Sequence, residues 1–328
     1  GVPPFSCLKF LSMGRGRDSR VTRCLFFGNT SWQNMKFQGL YTAMVTPFRG
    51  GKVDREAFRA NIETQVAAGV TGIMPIGTTG ESPTLSVAEH LEVIQLAVES
   101  VNGRIQVIAG AGANCTAEAI ELAVEAEQVG VTGTLQVCPY YNKPSQEGVY
   151  RHFCTIAEKT TKPIVLYSIP GRCGIEIAVE TVARLACDNN HIVAVKEAGG
   201  SVDRVNQLLQ VLPDSFSILC GDDGLCLPFM SCGAVGLVSV TSNLVPDVMN
   251  RLVQACLHHD YAEALAIQKK YYPLMKGLMS LDCNPVPIKA AMAMRGGMTD
   301  ELRLPLVELS HEKKEALASL MTQFKLNS

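Results

Sequence analysis

Short apolar runs alternate with amphipathic stretches along this chain from residue 39 onward. The first run, at 40–45, stops at Pro47 and the Gly50-Gly51 pair, and an amphipathic helix begins at Asp54. Later runs predict further strands at 72–76, 105–109, 133–137, 164–169, 192–196, 216–220 and 235–240. A helical stretch follows each strand, so the chain repeats one strand–helix unit eight times.

Eight strand–helix units predict an α/β fold, a (β/α)8 TIM barrel, rather than an open doubly wound sheet. An open sheet of that kind usually has fewer strands and a glycine-rich nucleotide-binding turn near its start. The last unit ends with a helix at 246–258, and further helical patterns follow at 261–281, 286–295 and 311–325. We therefore predict a catalytic barrel over residues 35–259 and a C-terminal helical extension over residues 260–328.

Residues 1–34 do not share this periodicity. They carry one acid, Asp18, against the basic residues Lys9, Arg15, Arg17, Arg20 and Arg23. Because Met35 looks like a natural start just before the first strand, we interpret the segment as a leader that is disordered or an artefact of the start site. An organelle transit peptide and a flexible basic arm are the alternatives. The expected location is cytoplasmic, or plastid if the segment is a transit peptide.

Composition excludes several classes of function. The 328-residue chain has 47% hydrophobic residues, a formal net charge of −2 and a pI near 6.4, so neither nucleic acid nor a membrane is an expected partner. No run approaches the roughly 20 apolar residues of a membrane-spanning helix. The 12 cysteines include no Cys-x-x-Cys pair, and Cys220, Cys226 and Cys232 are too widely spaced for a zinc knuckle, so we expect no metal.

The strand at 192–196 ends in a lysine, Lys196. An ammonium inside a strand that is buried on both faces destabilises the fold unless it is paired or neutralised. At the C-terminal mouth of such a strand, partial burial lowers the pKa of an amine and leaves it free to attack a carbonyl. Taken by itself, a strand-end lysine that reaches into solvent is the simpler interpretation, so the rest of the sequence has to decide.

Polar residues gather after several strands, where a barrel of this type places its active site. Gly77-Thr78-Thr79-Gly80 follows the second strand and is suited either to hold the carboxylate of a small keto acid or to form a plain turn. Tyr140-Tyr141 and Tyr167 can shuttle protons beside an amine or pack as wall residues. Arg172 can bind a second carboxylate or lie in solvent. Asp222-Asp223 is interpreted as a helix cap.

These motifs occur together and in one order: Gly-Thr-Thr-Gly-Glu-Ser, Pro-Tyr-Tyr-Asn-Lys-Pro-Ser-Gln-Glu-Gly, Tyr-x-x-Pro-x-Arg-x-Gly, Val-Lys-Glu-Ala and Gly-Asp-Asp. From about Phe37 to its C-terminus the chain resembles the dihydrodipicolinate synthases, in the pyruvate-dependent, Schiff-base-forming aldolase superfamily that includes N-acetylneuraminate lyase. The resemblance implies an enzyme of the diaminopimelate route of lysine biosynthesis that condenses pyruvate with L-aspartate 4-semialdehyde. It implies no cofactor, only a covalent Schiff base through Lys196.

Carried over residue by residue, the resemblance implies that Lys196 condenses with the keto group of pyruvate. Thr78, Tyr141 and Tyr167 would form the proton relay, with Tyr141 inserted into the site of a neighbouring subunit. The resemblance therefore also implies a tight dimer, usually paired into a homotetramer.

The resemblance also implies residues that bind the substrates. Thr79 would hold the carboxylate of pyruvate through its hydroxyl and backbone N–H, and Arg172 would bind the carboxylate of the semialdehyde. Gly221 and Val238 would line the pocket.

A feedback site for L-lysine belongs to the same resemblance. The matching residues are Ser82, His90, Asn114, Glu118 and Tyr140. Two positions depart from the pattern of lysine-sensitive members, because Pro83 follows the serine and Val87 stands where histidine is frequent.

Two other functions stay open at this point. A sister aldolase that acts on a sugar acid or another 2-oxo acid would share Lys196, Tyr167 and the two threonines. Arg172 favours a short carboxylated aldehyde over these substrates, since sialic-acid lyases typically lack this arginine. A barrel that only senses a keto acid is the more distant alternative, but a binding site needs neither a nucleophile nor a proton relay.

Overall fold

The computed structural model describes residues 36–326 and contains a closed parallel barrel. The strands are β1 Gly39–Ala43, β2 Phe48–Arg49, β3 Lys52–Val53, β4 Gly72–Met74, β5 Gln106–Gly110, β6 Gly133–Val137, β7 Ile164–Ser168, β8 Ile192–Glu197, β9 Ser217–Cys220 and β10 Gly236–Ser239. Around the barrel the order is β1-β10-β9-β8-β7-β6-β5-β4, and β4 pairs with β1 to close the ring. The predicted barrel is confirmed; the predicted leader at 1–34 lies outside the described residues.

Helices lie between the barrel strands and then form the end of the chain. They are α1 Arg55–Ala67, α2 Val87–Val101, α3 Thr116–Val129, α4 Gln146–Lys159, α5 Pro170–Cys173, α6 Val179–Asp188, α7 Val202–Val211, α8 Cys226–Ser231, α9 Pro246–Leu257, α10 Tyr261–Ser280, α11 Val286–Arg295 and α12 His311–Gln323. Helices α10, α11 and α12 pack against one another, and α10 packs on α9. Nowhere in residues 36–326 is a helix both long and apolar enough to cross a membrane.

Short polar side chains decide where several helices begin. The Asp54 carboxylate accepts a hydrogen bond from Ala57 N–H at 3.1 Å at the start of α1. Ser86 and Glu89 form a reciprocal capping box at the start of α2. Such caps satisfy the amide groups that the first turn of a helix leaves free. The region between Pro47 and Asp54, predicted only as a turn, is a small hairpin of β2 and β3 outside the barrel.

Alternate side chains of the strands fill the barrel interior. This inner layer is apolar and buried, and it includes Tyr41, Met74, Ile108, Leu135, Val165, Tyr167, Ala194, Leu219 and Val238. The residues between them face the surrounding helices. Because side chains pack the interior, a small molecule has room only at the rim of the barrel.

One glycine sets how closely the rim can pack. Gly110 ends β5, and its N–H donates to Pro75 O at 2.9 Å in the segment after β4. A Cβ atom at Gly110 would lie only 2.0 Å from Ile76 O. Since Ile76 O is a backbone atom that cannot simply rotate away, the close contact between β5 and the loop after β4 requires glycine.

Candidate active site

A cavity of about 330 Å³ opens at the C-terminal ends of the barrel strands. Thr78 from the loop after β4 lines it, as do Tyr140 after β6, Tyr167 of β7 and Arg172 of α5. Asn284, which precedes α11, also lines it. The volume suits a small molecule, and barrels of this architecture hold their active sites at this end.

Lys196 lies in β8 and is only 7% exposed. The pairing of β8 with β7 sets Lys196 level with Tyr167, and the Lys196 Nζ atom lies 4.1 Å from the centroid of the Tyr167 ring. The face of an aromatic ring attracts an ammonium at this distance. The structure therefore places the amine against a tyrosine that lines the cavity.

The residue after Lys196 anchors the end of the strand. Glu197 is fully buried, and its Oε2 atom accepts from Arg204 Nε at 2.6 Å while its Oε1 atom accepts from Gly199 N–H at 2.7 Å. Arg204 also donates to Ile177 O. Because consecutive side chains of a strand point to opposite faces, the anchored Glu197 holds Lys196 toward the barrel interior.

The loop after β4 presents the two threonines in an unusual backbone conformation. Ile76 and Glu81, on either side of them, both have a φ of 56°. A left-handed φ is strained for a β-branched residue such as Ile76, and strain of this kind persists only where surrounding contacts hold it. Thr79 is buried, whereas Thr78 lines the cavity.

A buried ion pair supplies such a contact from the C-terminal helices. The Glu81 Oε1 atom lies 2.6 Å from Lys289 Nζ of α11, and both side chains are fully buried. Lys289 also donates to Thr46 O at 3.0 Å, and Arg303 N–H donates to Glu81 Oε2 at 3.1 Å. Burial lowers the pKa of Lys289, while the Glu81 carboxylate opposes that shift. Sequence reasoning missed the pair, although a lysine among the apolar residues of 286–292 signals a buried partner.

Arg172 lies at the rim and is exposed. Its Nη2 atom donates to Asn284 O at 3.0 Å. A guanidinium has five N–H donors in a fixed plane, so this contact leaves others able to bind a carboxylate.

The two consecutive tyrosines after β6 lie in different environments. Tyr140 is half-buried and lines the cavity, and burial, with a smaller contribution from Glu118, raises the pKa of its hydroxyl. Tyr141 is 88% exposed with a φ of 72°. It does not line the cavity of its own chain. Lys196 is also absent from this lining, so it is exposure that sets Tyr141 apart from the buried Lys196 and Tyr167.

Gly221 and Val238 lie near the rim but do not line the cavity. Gly221 follows β9, and its N–H donates to Glu197 O at 2.8 Å. Val238 of β10 is buried in the inner layer of the barrel. Gly221 therefore borders β8, whereas Val238 belongs to β10, which pairs with β9 and β1.

Only one of the two aspartates after β9 caps a helix. The Asp222 carboxylate accepts from Gly224 N–H at 2.8 Å, as predicted. The same interpretation of Asp223 is wrong. Its buried carboxylate accepts from the N–H groups of Val240 and Thr241 at 3.0 and 2.9 Å and so ties this segment to the end of β10. A buried carboxylate is better satisfied by these donors at the end of the adjacent strand than by the turn in which it lies.

Two of the five residues matched to a lysine site line the same cavity. Ser82 and Tyr140 line it, and Asn114 Nδ2 donates to Tyr140 O at 3.2 Å. His90 is buried, its Nε2 atom lies 2.8 Å from Gly110 O, and burial lowers its pKa. This hydrogen bond joins the His90 ring to the end of β5.

Other chemistries find less support in this cavity. Cys173 lines it, but burial raises the pKa of its thiol to about 11, and burial raises that of nearby Cys138 to about 12. Protonated thiols are poor nucleophiles. Across the described part of the chain, no three His, Cys, Asp or Glu side chains are arranged to hold a metal ion.

Comparison with known proteins gives one consistent family. A model of the dihydrodipicolinate synthetase family matches residues 36–324. A Leptospira biflexa protein named 4-hydroxy-tetrahydrodipicolinate synthase is 47% identical over 292 residues, which cover 88% of this chain and 98% of that protein. The solved structure of the 4-hydroxy-tetrahydrodipicolinate synthase from Methylacidiphilum fumariolicum SolV has a TM-score of 0.87 and 53% identity, covering 88% of this chain and 96% of that one. The Cyanidioschyzon merolae enzyme with lysine bound has a TM-score of 0.86 and 37% identity, with coverage of 88% and 99%.

Replacing Lys289 by methionine should strongly destabilise the protein. Lys289→Met leaves the Glu81 carboxylate buried without its cation, which typically costs about 3–5 kcal/mol. Urea unfolding followed by circular dichroism measures the loss. The double variant Glu81→Gln/Lys289→Met should recover much of it, because no buried charge remains.

The matched control is Lys276→Met, at an exposed position of α10. We expect it to change the free energy of unfolding by no more than about 0.5 kcal/mol. If Lys289→Met were as stable as Lys276→Met, the buried ion pair would not have the role assigned to it.

Proposed function

Because this chain belongs to the dihydrodipicolinate synthetase family, we propose that it acts as a 4-hydroxy-tetrahydrodipicolinate synthase with Lys196 as its nucleophile. The observation that carries this role is the place of Lys196, nearly buried at the barrel mouth with its Nζ atom 4.1 Å from the Tyr167 ring centroid. The reaction condenses pyruvate with L-aspartate 4-semialdehyde. The enzyme is a lyase that works as class I aldolases do, with a covalent Schiff base in place of an added cofactor.

The first half of the reaction prepares pyruvate as a nucleophile. The ε-amine of Lys196 adds to the keto carbon, water leaves, and a protonated imine forms. The positive nitrogen acidifies the neighbouring methyl group, whose proton is then lost to give an enamine. Thr79, in the loop held by the Glu81–Lys289 pair, binds the carboxylate of pyruvate with its hydroxyl and backbone N–H.

Protons move through hydroxyl groups at the mouth. Tyr167 lies against the Lys196 amine, and Thr78 lines the same cavity, so both are suited to accept and return protons. The third member of the relay is Tyr141 from a second copy of the chain. Its 88% exposure and its absence from its own cavity support this role. We therefore propose a tight dimer as the active unit, paired into a homotetramer.

In the second half the enamine attacks the aldehyde carbon of L-aspartate 4-semialdehyde, and a carbon–carbon bond forms. Arg172 at the rim binds the carboxylate of this substrate with the donors that Asn284 O does not use. The amine of the substrate then attacks the imine carbon, closes the ring and releases Lys196. Gly221, which borders β8, and Val238, in the inner layer of the barrel, shape the pocket around this intermediate.

We also propose that L-lysine inhibits the enzyme through Ser82, His90, Asn114, Glu118 and Tyr140. The structural relative with lysine bound supports this, as does the presence of Ser82 and Tyr140 on the cavity wall. Pro83 and Val87, which is 57% exposed, depart from the pattern of lysine-sensitive members and therefore bear on the sensitivity of the enzyme to L-lysine.

The Schiff base predicts a specific covalent product. Treating the wild-type protein with pyruvate and borohydride should give a reduced adduct on the peptide that contains Lys196, read by mass spectrometry. Lys196→Ala should give none, whereas Lys159→Ala, at an exposed position of α4, should be labelled like the wild-type protein. An adduct on another lysine, or no adduct, would overturn the mechanism.

Removing the guanidinium of Arg172 should weaken the binding of the second substrate only. A lost charge-assisted hydrogen bond corresponds to roughly a 10- to 100-fold rise in the KM for L-aspartate 4-semialdehyde in Arg172→Ala. The KM of Arg172→Lys should lie between those of the wild-type protein and Arg172→Ala, because an ammonium keeps the charge but not the planar geometry. Arg151→Ala, which removes an exposed arginine of α4, is the control and should leave this KM unchanged. An unchanged KM in Arg172→Ala would contradict the substrate assignment.

Lysine sensitivity is tested by initial rates with and without L-lysine. We expect the wild-type rate to fall as L-lysine is added, and Tyr140→Phe to respond less because it lacks the hydroxyl. A wild-type rate that stays constant up to the millimolar range would remove the inhibition proposal and leave the catalytic one intact.

A further inference from the structure

One residue outside the predicted set contacts both residues assigned to the substrate carboxylates. Asn284 is 7% exposed and lines the cavity. Its Nδ2 atom donates to Thr79 Oγ1 at 3.0 Å, and its main-chain oxygen accepts from Arg172 Nη2 at 3.0 Å. Asn284 thus lies between the pyruvate residue and the semialdehyde residue of the function proposed above, on which this inference rests.

The Thr79 hydroxyl has one proton to donate. A carboxylate of pyruvate accepts hydrogen bonds and donates none, so Thr79 can bind it only by pointing that proton at it. The other contact of the hydroxyl must then supply a proton rather than take one. The amide NH₂ of Asn284 does so, whereas a carboxylate at the same position would compete for the proton.

The opposite end of the amide agrees with this orientation. The buried Oδ1 atom of Asn284 has no hydrogen-bond partner within residues 36–326. An unsatisfied buried acceptor lowers stability. Within the described residues, the side chain of Asn284 thus makes its hydrogen bond to Thr79 with the donor end of the amide.

We propose that Asn284 is a positioning residue for both substrate subsites. Its side-chain amide turns the hydroxyl proton of Thr79 toward the carboxylate of pyruvate, and its main-chain carbonyl holds the guanidinium of Arg172. The two actions are separable, because a change of side chain removes the first and keeps the second.

The test measures the pyruvate concentration that gives half-maximal borohydride labelling of Lys196. Asn284→Asp offers an acceptor in place of the donor and should raise that concentration about tenfold, as expected for one lost charge-assisted hydrogen bond. Asn284→Ala, which neither donates nor competes, should raise it less. The KM of Asn284→Ala for the semialdehyde should stay within about twofold of the wild-type value, since the main-chain contact with Arg172 remains. A larger effect of Ala than of Asp would indicate packing and overturn the proposal.

The decisive comparison repeats both variants in a Thr79→Val background. Without the hydroxyl there is no proton to orient, so the effect of each Asn284 variant should be at least about threefold smaller than in the wild-type background. Equal effects in the two backgrounds would show that Asn284 acts independently of Thr79 and would overturn the proposal. If Asn284→Asp does not fold, Asn284→Ala in the two backgrounds gives the same comparison.

Asn250 provides a matched control. Its Nδ2 atom donates to Ala68 O and Gly69 O, and its Oδ1 atom has no partner within the described residues. Asn250→Asp should lower stability but leave the half-labelling concentration unchanged. Absence of labelling in the wild-type protein would count against the proposed function. Normal wild-type labelling with unchanged Asn284 variants would count against the role of Asn284 alone.

Discussion

The buried ion pair between Glu81 and Lys289 is the contact on which the open end of the barrel depends. Two charges removed from water are tolerated only when further hydrogen bonds satisfy them, and Thr46 O and Arg303 N–H supply such bonds. This requirement holds the loop after β4 in one position against α11. Because that loop carries both threonines of the candidate site, the C-terminal helices help to position that site.

The same principle operates at β8. Lys196 can point to the barrel interior, beside Tyr167, because its neighbour Glu197 is tied to Arg204 on the other face of the strand. Neither Glu197 nor Lys289 is among the residues that line the cavity. Both nevertheless help to decide where the groups proposed to react lie, since buried charges with hydrogen-bond partners leave little freedom to the backbone that bears them. The strained φ of Ile76 persists because the Glu81–Lys289 pair holds the same loop.

Much of the site could be predicted because a parallel barrel gathers strand ends at one rim. Thr78, Tyr167, Lys196 and Arg172 follow or end three different strands, and the structure brings them to one mouth. Local patterns were less reliable for residues whose partners are distant in sequence. The local pattern predicts a helix cap at Asp223, but its carboxylate accepts hydrogen bonds from the end of β10 instead.

The sequence by itself determined the order of strands and helices, the barrel that follows from eight repeats, and the motifs that mark the family. These follow from periodicity and from short runs of residues, which need no knowledge of distant contacts. Only the tertiary structure decided that Lys289 pairs with Glu81 and that Asn284 lies between Thr79 and Arg172. It alone also showed that Tyr141 is exposed and does not line the cavity of its own chain. The reason is physical: such contacts join segments up to about two hundred residues apart, and the apolar and polar pattern of one segment does not specify which other segment it meets.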